Sequence, residues 1–204
     1  APWPVGAPRP TRTAPRTRRS GGAVVRPAPP ARPSTVGGPY HPGVAHSETA
    51  ALLQVLDAQG APTGEARPAS EVHAAGLWHA AVVVWVLRAD GGVLLRRAPP
   101  DDPCAPLRLG PSARAHVVGP DAPAAQAAAA LERRLSVTAL RDGLAHLGTF
   151  ATERPCRGGV DREVQEVFAA RDDTPLGELA LDPTTVDTVY EVPLARALAL
   201  FESG

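Results

Sequence analysis

The chain has 204 residues, with 21 basic and 21 acidic side chains and no formal net charge at neutral pH. That balance excludes a chain-wide polycation or polyanion, and no apolar run approaches the roughly 18 uncharged residues a membrane span needs. The length suffices for one domain with a real core, plus an appendage.

The charge is unevenly placed. Seven arginines (Arg9, Arg12, Arg16, Arg18, Arg19, Arg26, Arg32) precede residue 49, against one acid, Glu48, which leaves 14 arginines against 20 acids in the remainder. Eleven of the 24 prolines also fall in residues 1–48, without apolar periodicity. Such a segment buries too little surface to offset its ordering entropy, so 1–48 reads as a disordered Pro/Arg-rich tail and 49–204 as the folded domain. A basic arm touching anionic partners is the alternative reading of the tail. Thr17–Arg18–Arg19–Ser20 is not followed by the apolar stretch of an export signal. Lysine and methionine are absent, and alanine, arginine, proline and glycine take their places, as GC-rich coding would produce. Cys104 and Cys156 are the two thiols, without the spacing of a disulfide framework or a zinc site. They suggest a reduced, cytoplasmic protein.

From Ala50 the pattern becomes periodic. Leu52–Leu56 reads as a strand closed by the turn Asp57–Ala58–Gln59–Gly60, and Ser70–Gly76 as a short connector. Ala80–Leu87 is a continuous apolar strand, as expected where both faces are covered. Asp90–Gly91–Gly92 turns it into Val93–Arg97 as a hairpin. Pro99–Pro111 carries five prolines and reads as a loop. Ala113–Val118 is a strand, and Pro123–Leu135 a helix with Asp121 placed to cap or charge its start. Leu144–Phe150, Val164–Arg171 and Val186–Val192 are strands, and Pro193–Phe201 is a terminal helix opened by proline. This order predicts a mixed sheet between helices.

Five segments in this order carry a family likeness. They are Val55–Leu56–Asp57 with Gly64–Glu65–Ala66 and Glu71–Ala80; Gly92–Arg97; Ser112–Val117; Asp161–Ala170; and Leu181–Asp182–Pro183 through Val192–Pro193–Leu194. Together they resemble the Nudix superfamily, specifically its isopentenyl-diphosphate isomerase-like branch, over roughly Leu52 to Phe201. The resemblance implies a Nudix-type α/β/α sandwich with a mixed central sheet. It also implies a small-molecule diphosphate as ligand, isoprenoid diphosphates among them, and neither a membrane nor a specific nucleic acid as partner.

The Nudix box itself is degenerate. Aligned from Ala115, Asp121 takes the first glutamate position, Ala129–Ala130 the Arg-Glu pair and Arg133–Arg134 the paired glutamates. Residues 130, 133 and 134 share a helical face by spacing, and relatives use that face to present carboxylates to Mg²⁺. Arginine repels a metal and stays protonated, so standard Nudix hydrolysis through this helix is not expected.

The isomerase branch holds a second metal with three histidines and two glutamates. The matching residues here are His73, His79, His116, Asp161 and Glu163, a ligand set suited to Zn²⁺, Mn²⁺ or Fe²⁺, with Mg²⁺ accompanying substrate. The resemblance makes Glu163 the catalytic acid–base, whereas the position of the family's catalytic cysteine is Arg114. Arg96, Arg97, Arg114, Arg133 and Arg134 place guanidiniums where a diphosphate could be held without Mg²⁺. Three readings follow. The chain is a metal-dependent enzyme on an organic diphosphate, a catalytically inactive binding or regulatory protein, or a divalent-metal-dependent Nudix hydrolase using Asp121, Glu132 and Glu163.

Overall fold

The computed structural model describes residues 51–138 and 143–202. The Pro/Arg-rich segment 1–48 lies outside the described residues. Nine strands form one sheet: β1 (Leu52–Leu56), β2 (Pro62–Pro68), β3 (Trp78–Leu87), β4 (Gly92–Arg97), β5 (Leu109–Gly110), β6 (Ala113–His116), β7 (Ala145–Cys156), β8 (Gly159–Arg171) and β9 (Thr188–Pro193). Three helices accompany them: α1 (Ala69–Ala74), α2 (Pro123–Leu135) and α3 (Leu194–Glu202).

β3 organises the sheet. It runs parallel to β8 over its whole length and antiparallel to β1, β4 and β6, so the sheet is mixed as expected. Because side chains alternate across a strand, the two faces of β3 go to different layers. Val82, Val84 and Val86 join Ala113, Ala115, Phe168 and Ala170 beneath Ala127, Ala130, Leu131 and Leu135 of α2. On the other side of the sheet, Val93 and Leu95 pack with Trp85, Leu87 and Ala197 of α3. Helices thus cover both faces, the expected α/β/α arrangement.

Several elements differ from the sequence reading. The connector 70–76 contains a helix, α1, because Val72 and Ala69 bury against Leu53 and Val55. Pro62–Pro68 is an exposed edge strand paired with β1, a place where prolines at the ends cost no ladder bonds. The distal strands form one long hairpin, 145–156 with 159–171, turning at Arg157–Gly158. Asp121 does not cap α2. The cap residue is Ala122, and the Gln126 amide bridges the carbonyl of Asp121 and the N–H of Val118 instead.

The two thiols are not free. Cys104 and Cys156 form a disulfide, because the hairpin turn carries Cys156 to the proline-rich loop, where the Arg157 N–H donates to the Pro103 carbonyl at 2.8 Å. Fifty-two residues separate them in sequence, so no local spacing announces the pair. The argument from unpaired thiols to a reducing cytoplasm therefore falls. Among the described residues, no helix is long and apolar enough to cross a membrane.

Candidate functional site

The face of the sheet away from α2 gathers the titratable residues, and strand register explains why. His79 on β3 lies beside Glu163 on β8, and Asp161 is two residues earlier on the same face. His116 and Arg114 on β6 pair with Ala81 and Val83, placing them on that face from the other flank. β7 adds Arg154 opposite Asp161. His73 arrives from α1, which rests on β8. Gly159 makes that approach possible, since a Cβ there would overlap the backbone of His73.

The three imidazoles form a near-equilateral triangle, with ring centroids 5.1, 5.2 and 4.9 Å apart. His73 Nε2 lies 3.6 Å and His79 Nε2 3.3 Å from Asp161 Oδ1. Glu163 Oε1 lies 3.8 Å from His79 Nε2 and 3.5 Å from His116 Nε2. These separations exceed good hydrogen bonds. Accordingly His73 Nε2, His79 Nε2 and Asp161 Oδ1 are buried without hydrogen-bond partners, while Glu163 Oε1 is met by the Arg114 guanidinium. Buried polar atoms are seldom left so, because each orphan costs about 1–3 kcal/mol. Metal bonds of about 2.0–2.1 Å place neighbouring ligand atoms about 3–3.4 Å apart, close to the distances seen here. One donor atom each from His73, His79, His116 and Asp161 lies within 4.8 Å of the others; Glu163 is outside that set and faces only His79 and His116. The residues fit a transition-metal ion.

Protonation suits the same purpose. His79 Nδ1 sits 3.2 Å from the Leu77 carbonyl, which orients the ring with Nε2 toward Asp161. Burial, reinforced by Arg114, pushes His116 down to about 3, and burial also lowers His73. Both rings are therefore neutral donors at physiological pH.

The carboxylates face a second set of partners. Arg114 donates to Asp161 Oδ2 at 2.5 Å and to Glu163 Oε2 at 3.0 Å, and its Nη2 also pairs with Glu163 Oε1. Arg154 donates to the same Oδ2 and Oε2 at 2.8 and 2.9 Å, and the Gln165 amide adds a bond of 2.7 Å to Oε2. Asp161 thus gives one oxygen to guanidinium and turns the other toward the imidazoles, whereas both oxygens of Glu163 meet guanidinium. Burial would raise both acids, but His79, Arg114 and Arg154 hold Asp161 below its ordinary value, and the two arginines do the same for Glu163. A carboxylate kept ionised serves better as a ligand than as a proton donor. The two arginines also neutralise the two acids, so an added ion gains little from formal charge and must rely on imidazole nitrogen.

A cavity of about 370 Å³ opens beside this cluster, lined by His73, His116 and the arginines Arg96, Arg114, Arg134 and Arg157 among others. Arg96 is buried, with Nη1 on the Thr185 carbonyl at 2.8 Å. Burial and the neighbouring guanidiniums of Arg134 and Arg114 lower it to about 10, so it stays charged at neutral pH. Asp101 and Asp102 also line the cavity, so its wall carries four guanidiniums against two carboxylates.

Two arginines grouped with these by sequence lie elsewhere. Arg97 alternates to the opposite face of β4, where its Nε bonds Asp187 at 2.5 Å and its guanidinium lies over Tyr190. Arg133 is exposed, because the helical face at 130 and 134 turns to the sheet and leaves 133 outside it. Arg114 lines the cavity but is held by Asp161 and Glu163. Asp121 and Glu132 are exposed, while Glu163 is fully buried on the far face of the sheet, so these three do not assemble a metal site. Arg154, Arg157 and Gln165 escaped the sequence reading. A two-residue turn at Arg157–Gly158 would have paired 154 with 161, which was the available signal for Arg154.

No family model matches the chain, and no curated protein matches it by sequence. Solved structures do. DR0079 from Deinococcus radiodurans is 15% identical over 75% of this chain and 90% of that one, with a TM-score of 0.58. A MutT protein from Methanosarcina mazei Go1 is 11% identical over 60% and 81%, at 0.48. The NUDIX domain of NrtR from Shewanella oneidensis, a complex with ADP ribose, is 15% identical over 59% and 75%, at 0.46. The likeness to DR0079 speaks for the fold alone: this chain has the α/β/α architecture with a mixed central sheet that its motifs implied.

Proposed function

We propose that this chain binds an organic diphosphate in the arginine-walled cavity and acts on it beside a divalent transition metal held by His73, His79, His116, Asp161 and Glu163. The observation that carries this reading is the convergence of unpartnered imidazole nitrogens and an unpartnered Asp161 oxygen at the edge of an arginine-rich pocket. Bound there, the metal would supply Lewis acidity toward an oxygen of the ligand.

The chain's own residues divide the remaining work. Arg96, Arg134 and Arg157 offer guanidiniums to phosphate oxygens, which they match bidentately. Arg114 and Arg154 hold Asp161 and Glu163 ionised and fix their orientation toward the imidazoles. Ala69, Ala74, Pro99 and Pro103 supply apolar wall for an organic substituent, to which an isoprenoid chain is suited. Glu163 is the acid–base in this reading and acts as base, since its surroundings keep it unprotonated.

A second reading rests on the same arginines. By neutralising both acids, Arg114 and Arg154 remove the charge that usually draws a metal, which describes an inactive diphosphate-binding protein on this scaffold. Elemental analysis of the purified chain, then titration with pyrophosphate, isoprenoid and nucleoside diphosphates with and without EDTA, separates the two. Bound Zn²⁺ or Fe²⁺ with EDTA-sensitive turnover supports the enzyme. Metal-free protein that binds diphosphates without turnover supports the binding protein, and no diphosphate binding at all defeats both.

A further inference from the structure

The Cys104–Cys156 disulfide stands against the metal-type cluster. Both sulfurs and one oxygen of Asp161 lie within 4.8 Å of one another, and Asp161 is the carboxylate that also faces His73, His79 and His116. β7 explains the approach. Arg154 pairs with Asp161 across the hairpin, and Cys156, two residues on, projects from the same face. Cys104 reaches it from the loop, where the Asp102 carboxylate accepts the N–H groups of Cys104 and Ala105 at 2.9 and 2.8 Å.

We propose that this disulfide is the oxidised form of a dithiol which, once reduced, joins Asp161 to form a thiolate-containing site for a thiophilic cation of the Zn²⁺ class. Three features support it. The Arg157–Pro103 backbone bond ties the two cysteine-bearing segments together independently of the sulfur bridge, so the thiols stay adjacent after reduction. Both cysteines are only half-buried, and Pro103 and Arg157 beside them line the cavity, so a small dithiol and an ion have a way in. Asp161 keeps one buried oxygen, Oδ1, without a hydrogen-bond partner, so its carboxylate has capacity for a ligand beyond its two arginines.

The redox step balances with an external dithiol. Its thiolate attacks one protein sulfur to give a mixed disulfide, and its second thiol expels that sulfur. The reductant leaves as a cyclic disulfide, and two electrons and two protons appear as Cys104 and Cys156 thiols. Cation binding then releases those protons to solvent, and soft thiolate ligands favour Zn²⁺ over hard ions. The proposal shares Asp161 with the imidazole site proposed above but does not require that site to be loaded.

The test uses the full chain, oxidised or reduced with dithiothreitol that is then removed, and titrated anaerobically with Co²⁺ as an optical probe for Zn²⁺. Reduced protein should show two titratable thiols and a sulfur-to-cobalt charge-transfer band, which oxidised protein lacks, and Zn²⁺ should bind at least about tenfold more tightly after reduction, about 1.4 kcal/mol. Cys104→Ser and, separately, Cys156→Ser should weaken or abolish the band. H116A should keep it while losing the cobalt signal of the imidazole site, so failure of either site is read separately. A disulfide that dithiothreitol cannot open in the folded chain, or two free thiols with no charge-transfer band, overturns the proposal.

Discussion

Gly159 lies against the backbone of His73 so closely that a Cβ at 159 would stand 2.7 Å from the His73 carbonyl carbon and 2.9 Å from the Ala74 Cα, besides overlapping the carbonyl oxygen. The absence of a side chain at one hairpin position is thus what lets α1 bring its imidazole to the cluster. Gly159→Ala must push α1 outward, at a cost of about 1–3 kcal/mol for overpacking. Thermal unfolding should report that loss, and Zn²⁺ titration should show weaker binding. A variant with wild-type stability and metal affinity would mean the close packing does not position His73.

Arg114 competes with any cation for Asp161 and Glu163. Removing one partner of a buried ion pair leaves charge uncompensated, typically at about 3–5 kcal/mol, and Arg154 should limit the loss to the lower end. Arg114→Gln should therefore destabilise the metal-free chain and bind Zn²⁺ at least about tenfold more tightly, since a like charge at about 4 Å opposes the ion by several kcal/mol at moderate effective dielectric. Calorimetric titration checks the affinity, and added Zn²⁺ should restore the melting temperature.

The cavity arginines and their neighbours make opposite predictions. Arg134→Ala should lower affinity for pyrophosphate by about 10–100-fold, the equivalent of one charge-assisted contact of roughly 1.5–3 kcal/mol. Arg97→Ala removes contacts with Asp187, Thr188 and Tyr190, none of which lines the cavity, and should leave that affinity unchanged. Equal effects of the two substitutions would place the anion somewhere other than the cavity.

Asp182 offers a pH test away from the metal-type cluster. Burial would raise it, but hydrogen bonds from Thr184 and Thr185, with Arg134 nearby, hold it below its ordinary 3.8. The folded chain therefore prefers the ionised form, and the stabilisation is present above about pH 4 and fades as the pH falls through the lower folded value. In urea unfolding, wild type should exceed Asp182→Asn at pH 7, and the gap should narrow towards pH 3. A gap that widens in acid would contradict the sign.

Much of the architecture was legible because it depends on local pattern. The all-apolar run of β3, the two-residue-period strands and the proline-opened helices announce themselves within a few residues. The bounds of α2 agree with the periodicity because Ala127, Ala130, Leu131 and Leu135 repeat at helical spacing. α1 was missed because it is too short for a period to show, and its stability comes from packing on Leu53 and Val55 rather than from propensity.

The sequence by itself determined the inventory: five metal-type side chains, an arginine-rich and carboxylate-poor α2, and an order of elements that specifies a mixed sheet between helices. Only the tertiary structure decided who meets whom. It set Arg114 and Arg154 on the two acids, sent Arg97 and Arg133 away from the cavity, and joined Cys104 to Cys156. The strand residues among these depend on long-range register, where one residue of slip moves a side chain to the opposite face of the sheet, while Arg133 and Cys104 depend on how α2 and the proline-rich loop pack, and local sequence pattern records neither choice.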